Sequence, residues 1–262
     1  MPGSENMDAQ LPGKVELLGA LIDNLTWDET VERIFDLVAQ KEPSFVVTPN
    51  VDHIMRLQHS EDFRKIYAAA HLVLADGMPL LWGARFLGRS IREKISGSDL
   101  LPIIASEAAK RGVSLYFLGG REGAAAKAAE IFTARYPGLN VCGYYCPPWG
   151  FEYNRDELNK IESLIKQAHP DVLFVGLGSP KQEDWIFHYY QQIGVPVSIG
   201  SGVSFEFIAG MVKRAPGWMQ HCGLEWFWRL LMEPRRLWRR YLVADMPFFR
   251  LLLREKLSVK KK

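Results

Sequence analysis

Short apolar segments alternate with helical patterns over residues 14–212, and this alternation predicts the architecture of that part of the chain. Most of the segments are continuously apolar, as expected for strands that helices cover on both faces. We therefore predict a Rossmann-like, doubly wound α/β sheet that is mostly parallel. The predicted strands are residues 14–19, 44–48, 72–75, 113–118, 140–144, 171–175 and 195–199.

Helix-start and helix-stop signals lie between these strands. Residues 26–29 form a capping box of the type Ser/Thr-x-x-Glu, which predicts a helix over 31–40. Ser60 is a good N-cap for a helix through Ala70, and a helix after Ser98 and Asp99 ends before Gly112. Helical spacing of apolar residues predicts two more helices, over 154–168 and 182–192.

The pattern changes after Met211, where only helical segments follow. Proline and glycine divide this region into short pieces, for example 224–232 and 235–243. We predict a flexible N-terminal tail (1–13), an α/β catalytic domain (14–212) and a helical appendage (213–262). The uncharged segment 193–205 is too short and too rich in glycine to span a bilayer, and the N-terminus lacks a signal-peptide pattern.

The formal net charge of +2 over 262 residues conceals an asymmetry. The appendage carries a net charge of +9 and the rest of the chain −7, and half of the eight tryptophans lie in the appendage. Arginines mixed with Trp and Leu at helical spacing are typical of segments that lie at an anionic membrane surface. A tail packed on its own domain with a solvated arginine face is an alternative. Nucleic-acid binding is disfavoured, because large apolar residues interrupt the basic ones.

Polar and glycine-rich turns follow five of the predicted strands. In open α/β sheets, ligands bind at the carboxyl ends of the strands, and glycine turns with helix N-termini suit phosphorylated ligands. No GxxxxGK[ST] motif is present and no GxGxxG follows the first strand, which disfavours a P-loop NTPase and a dinucleotide fold. The turns are residues 48–52, 75–79, 118–120, 176–183 and 200–202.

Asp76 is the most promising carboxylate, because it ends an apolar strand at this sheet edge, where a general base can be tuned. The alternative is an N-cap for the helix that begins at Met78. Asp52 and Asp99 could cap helices or bind ligand. No DxD, HExxH or CxxC spacing occurs, so we predict no metal and no cofactor, and Cys142, Cys146 and Cys222 indicate no disulfide framework.

With these residues in view, the chain resembles the WecG/TagA/CpsF family of bacterial glycosyltransferases over residues 14–245. The resemblance rests on motifs in a fixed order along the chain. They are Thr48-Pro49-Asn50, Ala75-Asp76-Gly77-Met78-Pro79, Ser96-Gly97-Ser98-Asp99-Leu100, residues 176–183 (GLGSPKQE), 202–210 (GVSFEFIAG), 214–218 (RAPGW), 223–226 (GLEW) and 233–241 (EPRRLWRRY).

The resemblance implies an inverting, metal-independent transfer of a sugar from a UDP-sugar to an undecaprenyl-diphosphate-linked sugar. The enzyme would act as a peripheral protein on the cytoplasmic face of the bacterial inner membrane, in cell-surface polysaccharide synthesis. The family's catalytic base falls on Asp76, and its active-site Thr, Asn and Gln fall on Thr48, Asn50 and Gln182. Glu206 stands where the family usually has Asp.

We expect the remaining site residues in two groups. Candidates for substrate binding are Gly77, Ser98, Asp99, Gly119, Gly120, Gly178, Lys181, Gly202 and Glu206. Candidates in the appendage for diphosphate or membrane binding are Arg214, Arg229, Arg236, Arg239, Arg240, Trp226 and Trp238. Two other functions stay open, a nucleotide-dependent oxidoreductase on the same sheet edge and a non-catalytic membrane adaptor. The identity of the sugar and a homo-oligomeric state are left open.

Overall fold

A parallel six-stranded sheet forms the centre of the structure, a computed structural model that describes residues 13–259 apart from the side chains of His221, Arg236 and Val259. The predicted tail therefore lies almost entirely outside the described residues. Every strand pair in this sheet is parallel, and the order is β4-β3-β8-β7-β5-β6. The doubly wound α/β architecture is confirmed. The strands are β1 (Lys14–Leu17), β2 (Ala20–Asp23), β3 (Ser44–Val47), β4 (Leu72–Val73), β5 (Ser114–Gly119), β6 (Asn140–Tyr145), β7 (Val172–Gly176) and β8 (Val197–Gly200).

The first predicted strand, 14–19, does not belong to this sheet. It supplies β1, which pairs antiparallel with β2 in a separate hairpin, and Leu18 and Gly19 form the turn with positive φ. The physical reason is the alternating pattern of β1, in which Val15 and Leu17 are buried on one face. A strand that buries only one face does not fit a sheet that helices cover on both faces. The hairpin reaches the edge of the main sheet, where Asp23 Oδ2 accepts a hydrogen bond from the Val73 N–H at 2.8 Å.

Helices cover both faces of the sheet. Buried residues of α2 (Val51–His59), α3 (Glu61–Ala69), α4 (Met78–Leu87), α7 (Arg155–Ala168) and α8 (Lys181–Ile193) share one core. The opposite core is formed by α1 (Trp27–Gln40), α5 (Gly97–Arg111), α6 (Ala124–Arg135) and α9 (Ser204–Ile208). These helices bury continuous apolar strands from both sides, which accounts for the fully buried patterns of β3, β5, β7 and β8.

Local capping sets where the helices begin. The predicted capping box is present, with the Thr26 side chain accepting from the Glu29 N–H and the Glu29 side chain accepting from the Thr26 N–H. Ser60 caps α3, as its sequence pattern predicts. In contrast, α5 starts earlier than predicted, because Ser96 rather than Ser98 accepts the capping bond from the Asp99 N–H.

The C-terminal region is helical and packs on the α/β part of the chain. Its elements are α10 (Gly217–His221), α11 (Glu225–Met232), α12 (Pro234–Arg239), a π-helical turn (Arg240–Ala244) and α13 (Pro247–Val259). Phe248 and Leu252 of α13 are buried against Gly83 of α4, where an added Cβ would lie 3.1 Å from Phe248 Cζ. Within the described part of the chain, no helix has both the length and the apolar character needed to cross a membrane.

Candidate active site

A cavity of about 1230 Å³ opens at the carboxyl ends of the central strands, and the C-terminal helices form its outer wall. The chain leaves β3 into α2 on one face of the sheet and leaves β8 into α9 on the opposite face. Since β3 and β8 are neighbours, the crevice lies where the chain divides between the two faces, the usual place for a ligand in an open α/β sheet.

The structure brings many of the sequence-predicted residues to this cavity. Those that line it are Thr48, Asn50, Asp76, Gly77, Ser98, Gly120, Gly178, Lys181, Gln182, Gly202, Glu206, Trp226, Arg229 and Arg240. Others lie outside its lining: Asp99, Gly119, Arg214, Arg239 and Trp238. Arg236 belongs to α12, and its side chain lies outside the described residues.

Asp76 lies at the wall of the cavity, in the irregular segment between β4 and α4, and its N–H donates to the Pro49 carbonyl at 2.7 Å. It does not cap α4: Gly77 occupies the N-cap position with φ 107°, and α4 has no side-chain capping bond. Burial, assisted by the nearby Glu225 carboxylate and by Asp99, raises the pKa of Asp76 to about 7, although the charges of Lys94 and Arg229 oppose the shift. A carboxyl group with this pKa can accept a proton near neutral pH.

A charged cluster joins the C-terminal region to the wall beside Asp76. Lys94 Nζ lies 3.7 Å from Asp99 Oδ2 and 3.9 Å from Glu225 Oε2. Arg214 Nη1 lies 2.6 Å from Asp99 Oδ1. Burial alone would raise the pKa of Asp99, but hydrogen bonds from Arg214 and Ser96 and the charges of Arg214 and Lys94 hold it below its usual value. Asp99 and Arg214 therefore bind each other rather than face the cavity.

Thr48 and Asn50 follow β3 at the centre of the cavity. Asn50 caps α2, since its Oδ1 accepts from the His53 N–H at 3.3 Å, and the same oxygen lies 3.2 Å from Arg240 Nη2. Thr48 is buried against the start of α5, where Gly97 passes so closely that an added Cβ would lie 2.8 Å from the Gly200 carbonyl oxygen. This close passage explains why glycine occurs at position 97.

Gln182 stands in the first turn of α8 and is almost fully buried. Its Oε1 accepts from the Gly202 N–H at 3.0 Å, and its Nε2 donates to Glu183 Oε1 at 2.7 Å. The backbone at Gly200 packs on the amide, because an added Cβ there would lie 2.7 Å from Gln182 Nε2. The amide is thus held from three sides with one edge toward the cavity.

The glycine turns contribute in two different ways. Gly119 pairs with Gly176 in the sheet, and an added Cβ at Gly119 would lie 2.8 Å from the Gly176 carbonyl oxygen, so its role is close backbone packing. Gly178 and Gly202 have positive φ, and an added Cβ would meet nothing within 4 Å at either position. These two turns leave open space beside the cavity where a ligand can approach the backbone.

Lys181 and Glu206 also line the cavity, and each is bound to a neighbouring group of the protein. Lys181 Nζ pairs with Glu152 and lies 4.9 Å from the centroid of the exposed Trp149 ring. Glu206 is buried, and its Oε1 accepts from the Arg121 N–H at 3.0 Å. The Glu206 side chain thus binds the turn after β5.

Sequence reasoning did not identify several lining residues. Lys94 lies in an irregular segment without a motif. Glu225 lies inside the GLEW motif, of which only Trp226 is a predicted site residue. Asp245 lines the cavity as well, and burial raises its pKa to about 6 against the opposing charge of Arg240. Among the residues described, no group of three or more His, Cys, Asp or Glu side chains is arranged to hold a metal ion.

The cavity combines a carboxyl group of raised pKa with glycine turns and arginines. This combination is typical of an enzyme that transfers a group from a phosphorylated substrate. The sequence matches the family described as "Glycosyl transferase WecG/TagA/CpsF family" over residues 15–262. The chain therefore belongs to this family and is a glycosyltransferase. Family membership sets aside the oxidoreductase and the non-catalytic adaptor.

Similar proteins carry one common description, N-acetylglucosaminyldiphosphoundecaprenol N-acetyl-beta-D-mannosaminyltransferase. The chain is 29% identical over 221 residues to such a protein of Bacillus spizizenii, covering 84% of this chain and 83% of the relative. It is 30% identical over 205 residues to one of Bacillus subtilis, covering 78% and 77%. A third, of Staphylococcus aureus strain MW2, is 29% identical over 238 residues, which is 90% of each chain.

Proposed function

We propose that this glycosyltransferase moves a hexose of the N-acetylmannosamine type from a UDP-sugar to an undecaprenyl-diphosphate-linked sugar, in the synthesis of a cell-surface polysaccharide. The description shared by the relatives supports the acceptor and the sugar class. The cavity of about 1230 Å³ exceeds the roughly 300–1,000 Å³ usual for one small ligand, which favours a site that holds donor and acceptor head groups together.

The observation that carries the proposed mechanism is the position and raised pKa of Asp76. In a single displacement, the acceptor hydroxyl attacks the anomeric carbon of the donor, the bond to the UDP oxygen breaks, and Asp76 takes the hydroxyl proton. The configuration at the anomeric carbon inverts. A pKa of about 7 lets Asp76 be ionised before the reaction and still hold the proton afterwards.

Cationic and backbone groups of this chain would neutralise the departing diphosphate without a metal. Arg229 and Arg240 enter the cavity from the C-terminal helices, and Lys181 stands at the start of α8. Gly120 lines the same space, but its N–H donates to the Gly176 carbonyl and the Arg121 N–H donates to Glu206. The turn at Gly178 leaves open space in which a ligand can approach the backbone. Charge-assisted hydrogen bonds from arginine to phosphate are short and geometrically specific, which suits a leaving group that gains negative charge.

Thr48, Asn50 and Gln182 would orient the two sugars. Each has a polar side chain on the cavity wall, and each is fixed by the fold around it. A rigid set of hydrogen-bonding groups keeps the acceptor hydroxyl near the anomeric carbon, which lowers the entropic cost of the reaction. Gly77, Ser98 and Glu206 complete the wall, Ser98 through a hydroxyl that lies 3.2 Å from Ser96 Oγ.

The C-terminal helices would hold the enzyme on the cytoplasmic face of the membrane as a peripheral protein. The half-exposed apolar side chains there support this proposal, since they accompany a strongly basic segment. They include Trp218, Trp226, Phe227, Leu231, Met232, Trp238, Leu242, Val243, Met246, Phe249, Leu253 and Leu257. We retain 14–212 as the catalytic domain and 213–262 as the appendage in this proposal.

The test compares two buried carboxyl groups of the same cavity. We expect Asp76→Asn to lower UDP release with a short-chain lipid-diphosphate acceptor by about a hundredfold to ten-thousandfold, the usual contribution of a general base. UDP binding, measured by calorimetry, should stay within about threefold, because the isosteric amide removes only the proton acceptor. The matched variant Asp245→Asn should retain most of its turnover. Near-normal turnover of Asp76→Asn would refute the assignment.

A further inference from the structure

A series of buried polar side chains connects Gln182 to Tyr67 through Glu183 and His53. Tyr67 Oη lies 2.8 Å from His53 Nδ1, His53 Nε2 lies 3.8 Å from Glu183 Oε1, and that oxygen accepts from Gln182 Nε2. All four side chains are at most 9% exposed. Burying this many polar groups costs free energy unless they are bound to one another, which suggests that the arrangement has a functional role.

The protonation states of His53 and Tyr67 follow from their surroundings. Burial lowers the pKa of His53, despite the raising effect of Glu183 and Asp52, and burial raises the pKa of Tyr67 well above its usual value. His53 is therefore a neutral imidazole with one ring proton, and Tyr67 is a neutral phenol. With the Tyr67 hydroxyl donating to Nδ1, the ring proton lies on Nε2, the nitrogen that faces the Glu183 carboxylate.

The hydrogen-bond partners of the Gln182 amide determine its orientation. The Gly202 N–H can bind only the amide oxygen, and the Glu183 carboxylate can bind only the amide nitrogen. A rotation of the amide by half a turn would place two donors together at Gly202 and two acceptors together at Glu183. One N–H of Gln182 consequently remains unused by these two bonds, while the amide oxygen is turned toward the Gly202 N–H.

We propose that Glu183, which lies beside the buried His53–Tyr67 pair, is a positioning residue that fixes the Gln182 amide so that it presents a hydrogen-bond donor to the sugar or diphosphate oxygens of the bound substrate. This inference rests on the proposed function and adds a residue to its site. Glu183 itself does not line the cavity, whereas Gln182 and His53 do, so its effect on the substrate passes through the amide.

A double-mutant cycle tests whether Glu183 acts through Gln182. Glu183→Met removes the acceptor, and we expect kcat/KM for transfer to fall about tenfold to a hundredfold, the loss that follows from a misplaced positioning group. In a Gln182→Ala background the same change should lower kcat/KM by less than about twofold, because contacting residues that act as one unit are not additive. A purely structural role would give additive losses, which would overturn the proposal.

Two conservative variants give a control and a second test. Glu183→Gln keeps an oxygen acceptor at the same place and should stay within about threefold of wild type, since one acceptor is what the amide needs. Glu183→Asp keeps the charge but withdraws it by one methylene, and should lose activity as Glu183→Met does. Thermal unfolding of each variant shows that the protein is folded. Equal activity of Glu183→Asp and wild type would contradict the inference.

A spectroscopic measurement decides the orientation without turnover. In protein labelled with ¹⁵N-glutamine, the Gln182 side-chain amide is assigned from its loss in Gln182→Ala. We expect one of its protons to exchange slowly with solvent in wild type and quickly in Glu183→Met, while unchanged protection would overturn the proposal. If the wild-type protein transferred no sugar to the lipid-linked acceptor, the proposed function would fail, and this exchange measurement would still decide the positioning by Glu183.

Discussion

The Arg240 guanidinium contacts the Asn50 amide across the cavity, with Nη2 3.2 Å from Asn50 Oδ1 and 3.5 Å from Asp52 Oδ2. Asn50 follows β3, and Arg240 begins the π-helical turn of the C-terminal region, 190 residues later in the chain. Neighbouring Arg239 points elsewhere, with its guanidinium 5.9 Å from the centroid of the Trp238 ring. Two adjacent arginines of one basic run therefore have different surroundings.

This difference predicts different effects of removing each arginine. We expect Arg240→Ala to lower kcat/KM for transfer by about tenfold to a hundredfold, because it removes a cation from the cavity and leaves Asp52 without one of its partners. Arg239→Ala should leave soluble-acceptor kinetics within about twofold, since its side chain lies outside the cavity lining. Steady-state kinetics with a short-chain acceptor measure both, and equal losses in the two variants would contradict the prediction.

The raised pKa of Asp76 predicts a pH-dependent effect on stability. The folded-state pKa of about 7 exceeds the ordinary aspartate value of 3.8, so between these pH values the folded state holds a proton that the unfolded chain has released. The contribution of Asp76 to stability therefore falls as pH rises through this window. Asp76→Asn should gain more free energy of unfolding at pH 8 than at pH 5, by about 1–2 kcal/mol after allowance for screening by solvent.

Urea unfolding of wild type and Asp76→Asn at the two pH values measures this difference. Asp62→Asn is a suitable control, because Asp62 is exposed on α3 and pairs only with Lys65 in a surface ion pair. Its effect on unfolding should be small at both pH values. A gain for Asp76→Asn that is equal at pH 5 and pH 8 would show that the folded-state pKa of Asp76 is not raised.

Charges around Asp76 predict shifts of the acid limb of the pH–rate profile. Turnover needs the ionised base, so kcat/KM should fall as pH decreases through about 7. Lys94 lowers the pKa of Asp76, and Lys94→Met should move the limb to higher pH. Glu225 raises that pKa, and Glu225→Gln should move the limb to lower pH, each by about half a unit to one unit.

Glu122→Gln is the matched control for these two variants. Glu122 also lines the cavity, but it stands on the turn after β5 and is not among the charges with the largest effects on the pKa of Asp76. The variant changes the net charge as Glu225→Gln does, so it corrects for the general effect of charge. Shifts of the same direction in Lys94→Met and Glu225→Gln would exclude Asp76 as the group that titrates.

The fold could be predicted from the sequence where buried elements show a clear pattern of apolar residues. Strands such as β5 and β7 are fully buried, and their continuous apolar runs predict this directly. The segment 14–19 is predicted as a strand of the main sheet but forms part of the hairpin. Its apolar positions show that one face is buried, and do not show which surface covers that face. Tertiary contacts, such as the hydrogen bond between Asp23 and Val73, place the hairpin at the sheet edge.

The site could be predicted only in part, for related reasons. Turns after strands are visible in the sequence, and the parallel sheet brings Asn50, Asp76 and Gln182 to one edge. Glu225 reaches the surroundings of Asp76 through the packing of the C-terminal helices. Lys94 reaches them because the neighbouring Ile95 N–H donates to the Ala75 carbonyl, and no local pattern encodes either contact. The basic run likewise does not show which arginine enters the cavity, because the change from α12 to the π-helical turn sets the direction of each side chain.

The exposed apolar surface of the C-terminal helices leads to the last prediction, which concerns membrane binding. Truncation at residue 212 is a poor test, because it would uncover the α4 surface that Phe248 and Leu252 bury. We instead consider Trp238→Ser, Phe249→Ser and Leu253→Ser together, since these side chains are 47–57% exposed. Each should contribute about 1 kcal/mol when it enters the interface, so the triple variant should bind anionic vesicles about a hundredfold more weakly.

Vesicle sedimentation measures this change, and thermal unfolding shows that the fold is intact, since half-exposed side chains contribute little to the core. The matched control is Leu21→Ser with Tyr144→Ser, two similarly exposed apolar side chains on β2 and β6. That variant should sediment with vesicles as wild type does. Vesicles without anionic lipid should bind wild type more weakly, because the basic residues then lose their attraction to the surface. Equal sedimentation of the triple variant and wild type would refute the membrane role of these helices.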